Sequence, residues 1–247
     1  MAVTIGAVAA MAVAIAPTAS AAPTDPAPVP GTATASPNAK AAPNVLAALA
    51  ANGLNPFATV TGKVYMSQDA TGTNDPLGAT VVVQKSGPSA TVAAAYLLAA
   101  GTPGTILANG DITLGGIPIS FDPSHSATGV LSINSIWTDV TSIVKPVVDA
   151  APVGVVPFTV AEPTRTASID GEILAVIMND PTLPTDNTVS FQFGALASAG
   201  DTYAIGLASP LNLSDPDLAL TMSTAIRSAS RVRRRLRSSA RSPSTAR

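Results

Sequence analysis

Ala58-Thr59-Val60-Thr61-Gly62-Lys63-Val64-Tyr65-Met66 alternates apolar and polar side chains. An extended chain with this period puts Val60, Val64 and Met66 on one face. A polar loop rich in Gly, Asn, Asp and Pro follows from Asp69 to Gly78, and then Ala79 to Gln84 is dense in β-branched residues. Thr91 to Ala100 alternates through Val92, Ala94, Tyr96 and Leu98, although its alanines also suit a helix. Short strands are expected at Thr105 to Leu107, Asp111 to Leu114 and Ile117 to Phe121, with a tight turn at Gly115-Gly116. Val130 to Trp137 is a strand or a loop entering the next element. Asp139 is placed to cap a short helix that ends before Pro146. Val155 to Ala161, Glu172 to Met178, Thr188 to Phe193 and Thr202 to Leu207 complete roughly nine or ten strands at sandwich-like spacing. The expected fold is all-β: an antiparallel β-sandwich or jelly roll over residues 56–223, with one or two short helices and disordered ends.

Composition agrees with that class. Hydrophobic residues make up 47 % of the 247, so a substantial core is available. Charged residues make up only 11 %, against about 25 % in ordinary soluble domains. The surface must therefore be built from Thr, Ser, Asn, Gly and backbone, as in extracellular β domains. With no cysteine, a disulfide framework, a thiolate zinc site and a cysteine nucleophile are excluded. With the single histidine His125, a multi-histidine metal cluster within one chain is excluded too.

The ends differ from the middle. Ala2 to Ala16 is an apolar run followed by Ala19-Ser20-Ala21, the pattern of a secretory signal core and cleavage site, so residues 1–21 are expected to be a signal peptide. Its positive n-region is missing, and the run is short and Ala-rich for a membrane span. Residues 22–55 are a Pro/Ala/Thr-rich spacer with a short Ala/Leu helix from Val45 to Asn52, stopped by Gly53. Eight arginines lie between Arg227 and Arg247, while all 15 acidic residues precede them. The tail, 224–247, should be disordered because its like charges repel. Its Arg/Ser/Ala/Pro composition is what GC-rich DNA gives when read out of frame; the alternative is a polybasic arm for an anionic surface.

Few residues invite chemistry. Asp170 and Glu172 lie two apart, so both carboxylates would project from one strand face and could hold calcium or act on a glycosidic bond. Asp69 and Asp75 bracket a loop rich in oxygen donors, but it lacks the EF-hand order and its terminal glutamate. A solvated strand start and a polar hairpin loop explain these two sites more simply. His125, in Asp122-Pro123-Ser124-His125, reads as a surface loop, and no G-x-S-x-G elbow accompanies it. Trp137 and Tyr96, with Tyr65 and Tyr203, are candidates for a sugar-stacking platform; the simpler reading is core or edge packing. No Gly-rich loop with Lys for phosphate is present, and nucleic acid is not an expected partner.

The order of Tyr96-Leu97-Leu98, Trp137-Thr138-Asp139-Val140-Thr141, Ile169 to Ile177, Phe193-Gly194-Ala195-Leu196 and Gly200-Asp201-Thr202 resembles a β-sandwich domain of secreted and surface-anchored bacterial and archaeal proteins. That domain is similar in style to galactose-binding-like jelly rolls. The resemblance covers about Val60 to Met222 and implies a fold and an extracellular context, with no catalytic residue to carry over. The sequence thus points to a non-catalytic secreted or cell-surface protein serving adhesion, matrix structure or weak glycan binding, without a transmembrane span in the mature chain. Its partner would be an extracellular glycan or surface protein, and no cofactor is expected beyond Ca2+. The alternatives are a secreted polysaccharide hydrolase using carboxylates and a basic-tail binder of anionic surfaces.

Overall fold

The computed structural model describes residues 8–16, 45–50, 54–72, 78–101, 104–128, 133–163, 169–195, 203–207 and 219–227, with side chains described over 54–72, 78–101, 104–128, 133–163 and 169–194. In chain order the strands are β1 (Val8–Ala16), β2 (Val45–Ala50), β3 (Asn55–Gly62), β4 (Val64–Thr71), β5 (Ala79–Lys85), β6 (Thr91–Gly101), β7 (Thr113–Leu114) and β8 (Ile117–Pro118). They continue with β9 (Ser126–Thr128), β10 (Asn134–Asp139), β11 (Gly154–Ala161), β12 (Ile169–Asn179), β13 (Asn187–Ala195), β14 (Tyr203–Leu207) and β15 (Ala219–Arg227). A 3₁₀ turn, Pro123–His125, precedes β9, and one α-helix, α1 (Thr141–Ala150), joins β10 to β11.

The strands form an all-β, sandwich-like fold with antiparallel pairing throughout the described ladders. Its middle is the five-stranded sheet β4-β12-β6-β10-β9. The reason lies in β12. Ile173 to Met178 is apolar at every position, as a strand buried on both faces must be. Leu174, Val176 and Met178 pack into one core with Val81 and Val83 of β5, Val156, Phe158 and Val160 of β11, and Val144 and Val148 of α1. Ile173, Ala175 and Ile177 pack into a second core with Val189, Phe191 and Phe193 of β13. The sheets β5-β11-β7-β8 and β15-β1-β13-β3 therefore flank the middle sheet, one on each face.

Where β4 passes into β5 the chain changes sheets, and side chains of β4 take over the backbone of β5. Asp69 Oδ2 accepts from Val82 N (2.8 Å), and Ser67 Oγ accepts from Gln84 N (2.9 Å). Tyr65 Oη accepts from Ser86 N (2.9 Å) and donates to Gln84 O (3.2 Å). These contacts cover backbone groups that an edge strand otherwise offers to another chain.

Helix α1 does the same for the first half of β6, beyond the reach of β10. Thr141, Lys145 and Asp149 recur every four residues and line one face. Thr141 Oγ1 accepts from Ala95 N (2.9 Å), Asp149 Oδ1 from Val92 N (2.7 Å), and Lys145 Nζ donates to Val92 O (2.7 Å). The N-cap is Val140 rather than the expected Asp139, which stands one residue earlier and whose Oδ1 accepts from Thr141 N (2.7 Å). The helix does not end before Pro146, however. It continues to Ala150 because these tertiary bonds and the burial of Val144 and Val148 outweigh the one intrahelical donor that proline removes.

Other expectations need correction. Val45 to Ala50 is a strand paired with β14, not a helix: Ala and Leu favour helix, but over six residues that preference is small and pairing with a partner strand overrides it. Thr105 to Leu107 lies outside any strand. Asp69 belongs to β4 rather than to a loop, because β4 runs on to Thr71 along β12. The tail expected to be disordered from residue 224 is ordered in its first residues, because β15 runs to Arg227 along β1, the strand that Val8–Ala16 of the apolar start forms. Residues 22–44, 51–53 and 228–247 lie outside the described residues.

Candidate functional site

The chain has one Trp, three Tyr and five Phe, and most of them meet in one place. β10 presents Trp137, β6 presents Tyr96, β3 presents Phe57, and β13 supplies Phe191 and Phe193, all toward the second core. Trp137 and Phe57 stack at 4.6 Å between ring centroids. Tyr96 meets Phe57 edge to face at 5.1 Å and Trp137 at 5.7 Å, the geometries that aromatic quadrupoles favour. His125, on the 3₁₀ turn, lies against Trp137 at 3.9 Å with the rings 5° from parallel. The turn is set by Asp122, whose Oδ1 accepts from Ser124 N (2.9 Å), and β9 then brings the segment alongside β10.

Trp137 and Tyr96 are thus brought together, as a stacking platform requires, while Tyr65 is used at the β4–β5 crossing. Tyr203 lies in β14, and its side chain is outside those described. Both Trp137 and His125 are half-buried. His125 Nδ1 is buried and has no hydrogen-bond partner, and neither has the buried Ser135 Oγ. Ile133 and Trp137 both pack into the second core, so Ser135 between them on β10 shares their face. Burial and then the carboxylate of Asp139, its cross-strand neighbour, hold the Tyr96 phenol above its usual value of 10.0.

The carboxylates are arranged differently from the expectation. Asp170 and Glu172 do not share an exposed strand face. A bulge between Ile169 and Gly171 breaks the alternation, so Ile169 joins the core of Leu174 and Val176 instead of that of Ile173. Gly171 takes φ +138°, a conformation open to glycine at that kink. Asp170 is half-buried at the bulge, and Glu172 is 0 % exposed. Asp69 spends both oxygens on backbone N–H groups, of Ala70 and Val82. Asp75 lies outside the described residues. Among the described residues, no group of three or more His, Asp or Glu stands close enough to hold a metal ion.

Several polar residues that sequence reasoning passed over are structural keystones. Lys85 is 2 % exposed, and its Nζ donates to the carbonyls of Val148, Asp149 and Ala151 at the C-terminal end of α1. Asp180 is buried: its Oδ1 accepts from the hydroxyl and the N–H of Thr182, and its Oδ2 from Ser86 Oγ. The Thr182 hydroxyl first, then the Thr182 N–H, hold this carboxyl below its usual 3.8. The four-residue recurrence of Thr141, Lys145 and Asp149 was a readable signal for the helix contact. Lys85 and Asp180 left none, since their acceptors and donors lie far away in sequence.

Comparison with protein-family models, with curated proteins and with solved structures found no match. No helix among the described residues is long and apolar enough to cross a membrane.

Proposed function

We propose that this chain is a non-catalytic β-sandwich module of a secreted or cell-surface protein, and that it binds extracellular glycan weakly through the cluster around Trp137. The observation that carries the reading is the concentration of Phe57, Tyr96 and Trp137 at a half-buried position beside the sheet edge formed by β9 and β10. Aromatic faces bind sugar rings through their apolar C–H faces, which needs no charge and no metal. The commitment of Asp69, Asp149, Asp180 and Lys85 to main-chain and hydroxyl groups supports a structural duty for these side chains. The apolar start, the Ala19-Ser20-Ala21 pattern and the low charge content support export. The resemblance to galactose-binding-like surface domains belongs to the same proposal.

Fractionation of the native host tests the location: the protein is expected in the medium or envelope, and confinement to the cytoplasm would overturn the reading. The hydrolase alternative places Asp170 or Glu172 at the chemistry. It requires release of reducing sugar that disappears in Glu172→Gln.

A further inference from the structure

We infer that His125 is a displaceable cover on a saccharide-stacking face of Trp137, a proposal that rests on the glycan-binding reading and gives it an address. The imidazole is flat, lies 3.9 Å from the indole and is 5° from parallel to it. It occupies the place a stacked ring would take. Phe57 supports the indole through its own stack at 4.6 Å.

Three observations mark His125 as a loosely held tenant. The 3₁₀ turn that carries it contributes no buried residue. β9, which follows, joins β10 over only three paired residues at the sheet edge. His125 Nδ1 is buried without a hydrogen-bond partner, so swinging out returns that nitrogen to water and offsets the lost stack. A permanent structural imidazole ordinarily has a partner at such an atom.

Ser135 supplies the polar half of the site. It is 1 % exposed, its Oγ has no partner, and it lies two residues before Trp137 on the same face of β10. A hydroxyl-bearing ring that replaces the imidazole brings a group to satisfy it. The ligand class that meets both demands is a pyranose whose ring hydroxyls are all equatorial. Such a ring lies flat on the indole with its axial C–H bonds pointing into the aromatic face, and its equatorial hydroxyls point outward toward Ser135. A β-1,4-linked glucan repeats this ring.

The test uses the full chain, cellohexaose as the probe, and Trp137 emission, which is unambiguous because the chain has one tryptophan. His125→Ala is expected to bind cellohexaose about fivefold more tightly than wild type, since no stack has to be displaced. Ser135→Ala is expected to bind about fivefold more weakly. Without ligand, acrylamide should quench Trp137 more readily in His125→Ala than in wild type. Unchanged quenching overturns the cover. Equal cellohexaose affinity in all three proteins overturns the cover and the site while leaving glycan binding in place. Absence of binding by both wild type and His125→Ala overturns this inference and the glycan reading together.

Discussion

Lys85 reads as an ordinary solvent-exposed cation at the end of a strand, and the fold uses it as a plug. Its ammonium satisfies three carbonyls where α1 ends, in a place with 2 % exposure. Lys85→Met keeps the apolar stem and removes every one of those bonds. It is expected to lower the unfolding free energy by about 3 kcal/mol in a urea titration, because charge-assisted bonds are lost and buried carbonyls are left bare. Asp180 makes a second residue-scale prediction, in pH. Its folded carboxyl is held below 3.8, so the folded state prefers the ionised form. The stability this contributes is fully present above 3.8 and is lost as pH falls through the lower folded value. Asp180→Asn should therefore flatten the acid limb of the stability curve below about pH 4. Tyr96 works at the other end: its raised value favours the neutral phenol, so its contribution is lost as pH rises beyond 10.0. Thermal unfolding across both ranges, for wild type and Asp180→Asn, checks the two signs. Close packing beside Asp180 explains one glycine as well, since a Cβ on Gly87 would stand 2.9 Å from Asp180 Oδ2.

At the scale of elements, periodicity was readable wherever one face alone is buried. β3 and β4 carry the alternation of Val60, Val64 and Met66, and Val64 is buried as that pattern requires. The continuous apolar run of β12 signals a strand, but only the two cores reveal that it lies between layers. Alternation failed at Asp170 and Glu172 because a bulge inserts one residue, and nothing in Ile169-Asp170-Gly171 distinguishes a bulge from a turn. The helix boundary at Pro146 was missed for a related reason. The side-chain bonds that hold α1 against β6 span about half a hundred residues of sequence and override a local rule. Asp149→Ala should uncouple that contact and cost about 2 kcal/mol, with the Val92 amide becoming the first in β6 to exchange with deuterated water. β1 raises a further question of dependence. Among the residues whose side chains are described, both core clusters are drawn from Phe57 to Phe193, and a chain beginning at Ala22 keeps all of them. Such a chain, as export would leave it, is expected to keep a single cooperative unfolding transition. A broad, non-cooperative melt in that chain would show β1 to be indispensable to the sheet it enters.

For the whole molecule, low charge and a large apolar fraction become intelligible once three sheets are layered. A strand such as β12 contributes almost no surface, and the outer faces can be furnished with Thr, Gln and Pro, as at Thr80, Gln84 and Pro157. The class of fold was legible because strand spacing and turn chemistry are local. The aromatic site was half legible. Trp137 and Tyr96 stood out as rare residues, whereas Phe57 and His125 join them only through the pairing of β3 with β13 and of β9 with β10. On the proposed function, this architecture binds sugar without cleaving it. Incubating the purified full chain with insoluble β-glucan, and measuring bound protein and released reducing ends together, tests it most directly. Protein is expected to be retained on the polysaccharide with no release of sugar above the blank; release of reducing ends, or failure to be retained on the polysaccharide, would overturn the proposed function.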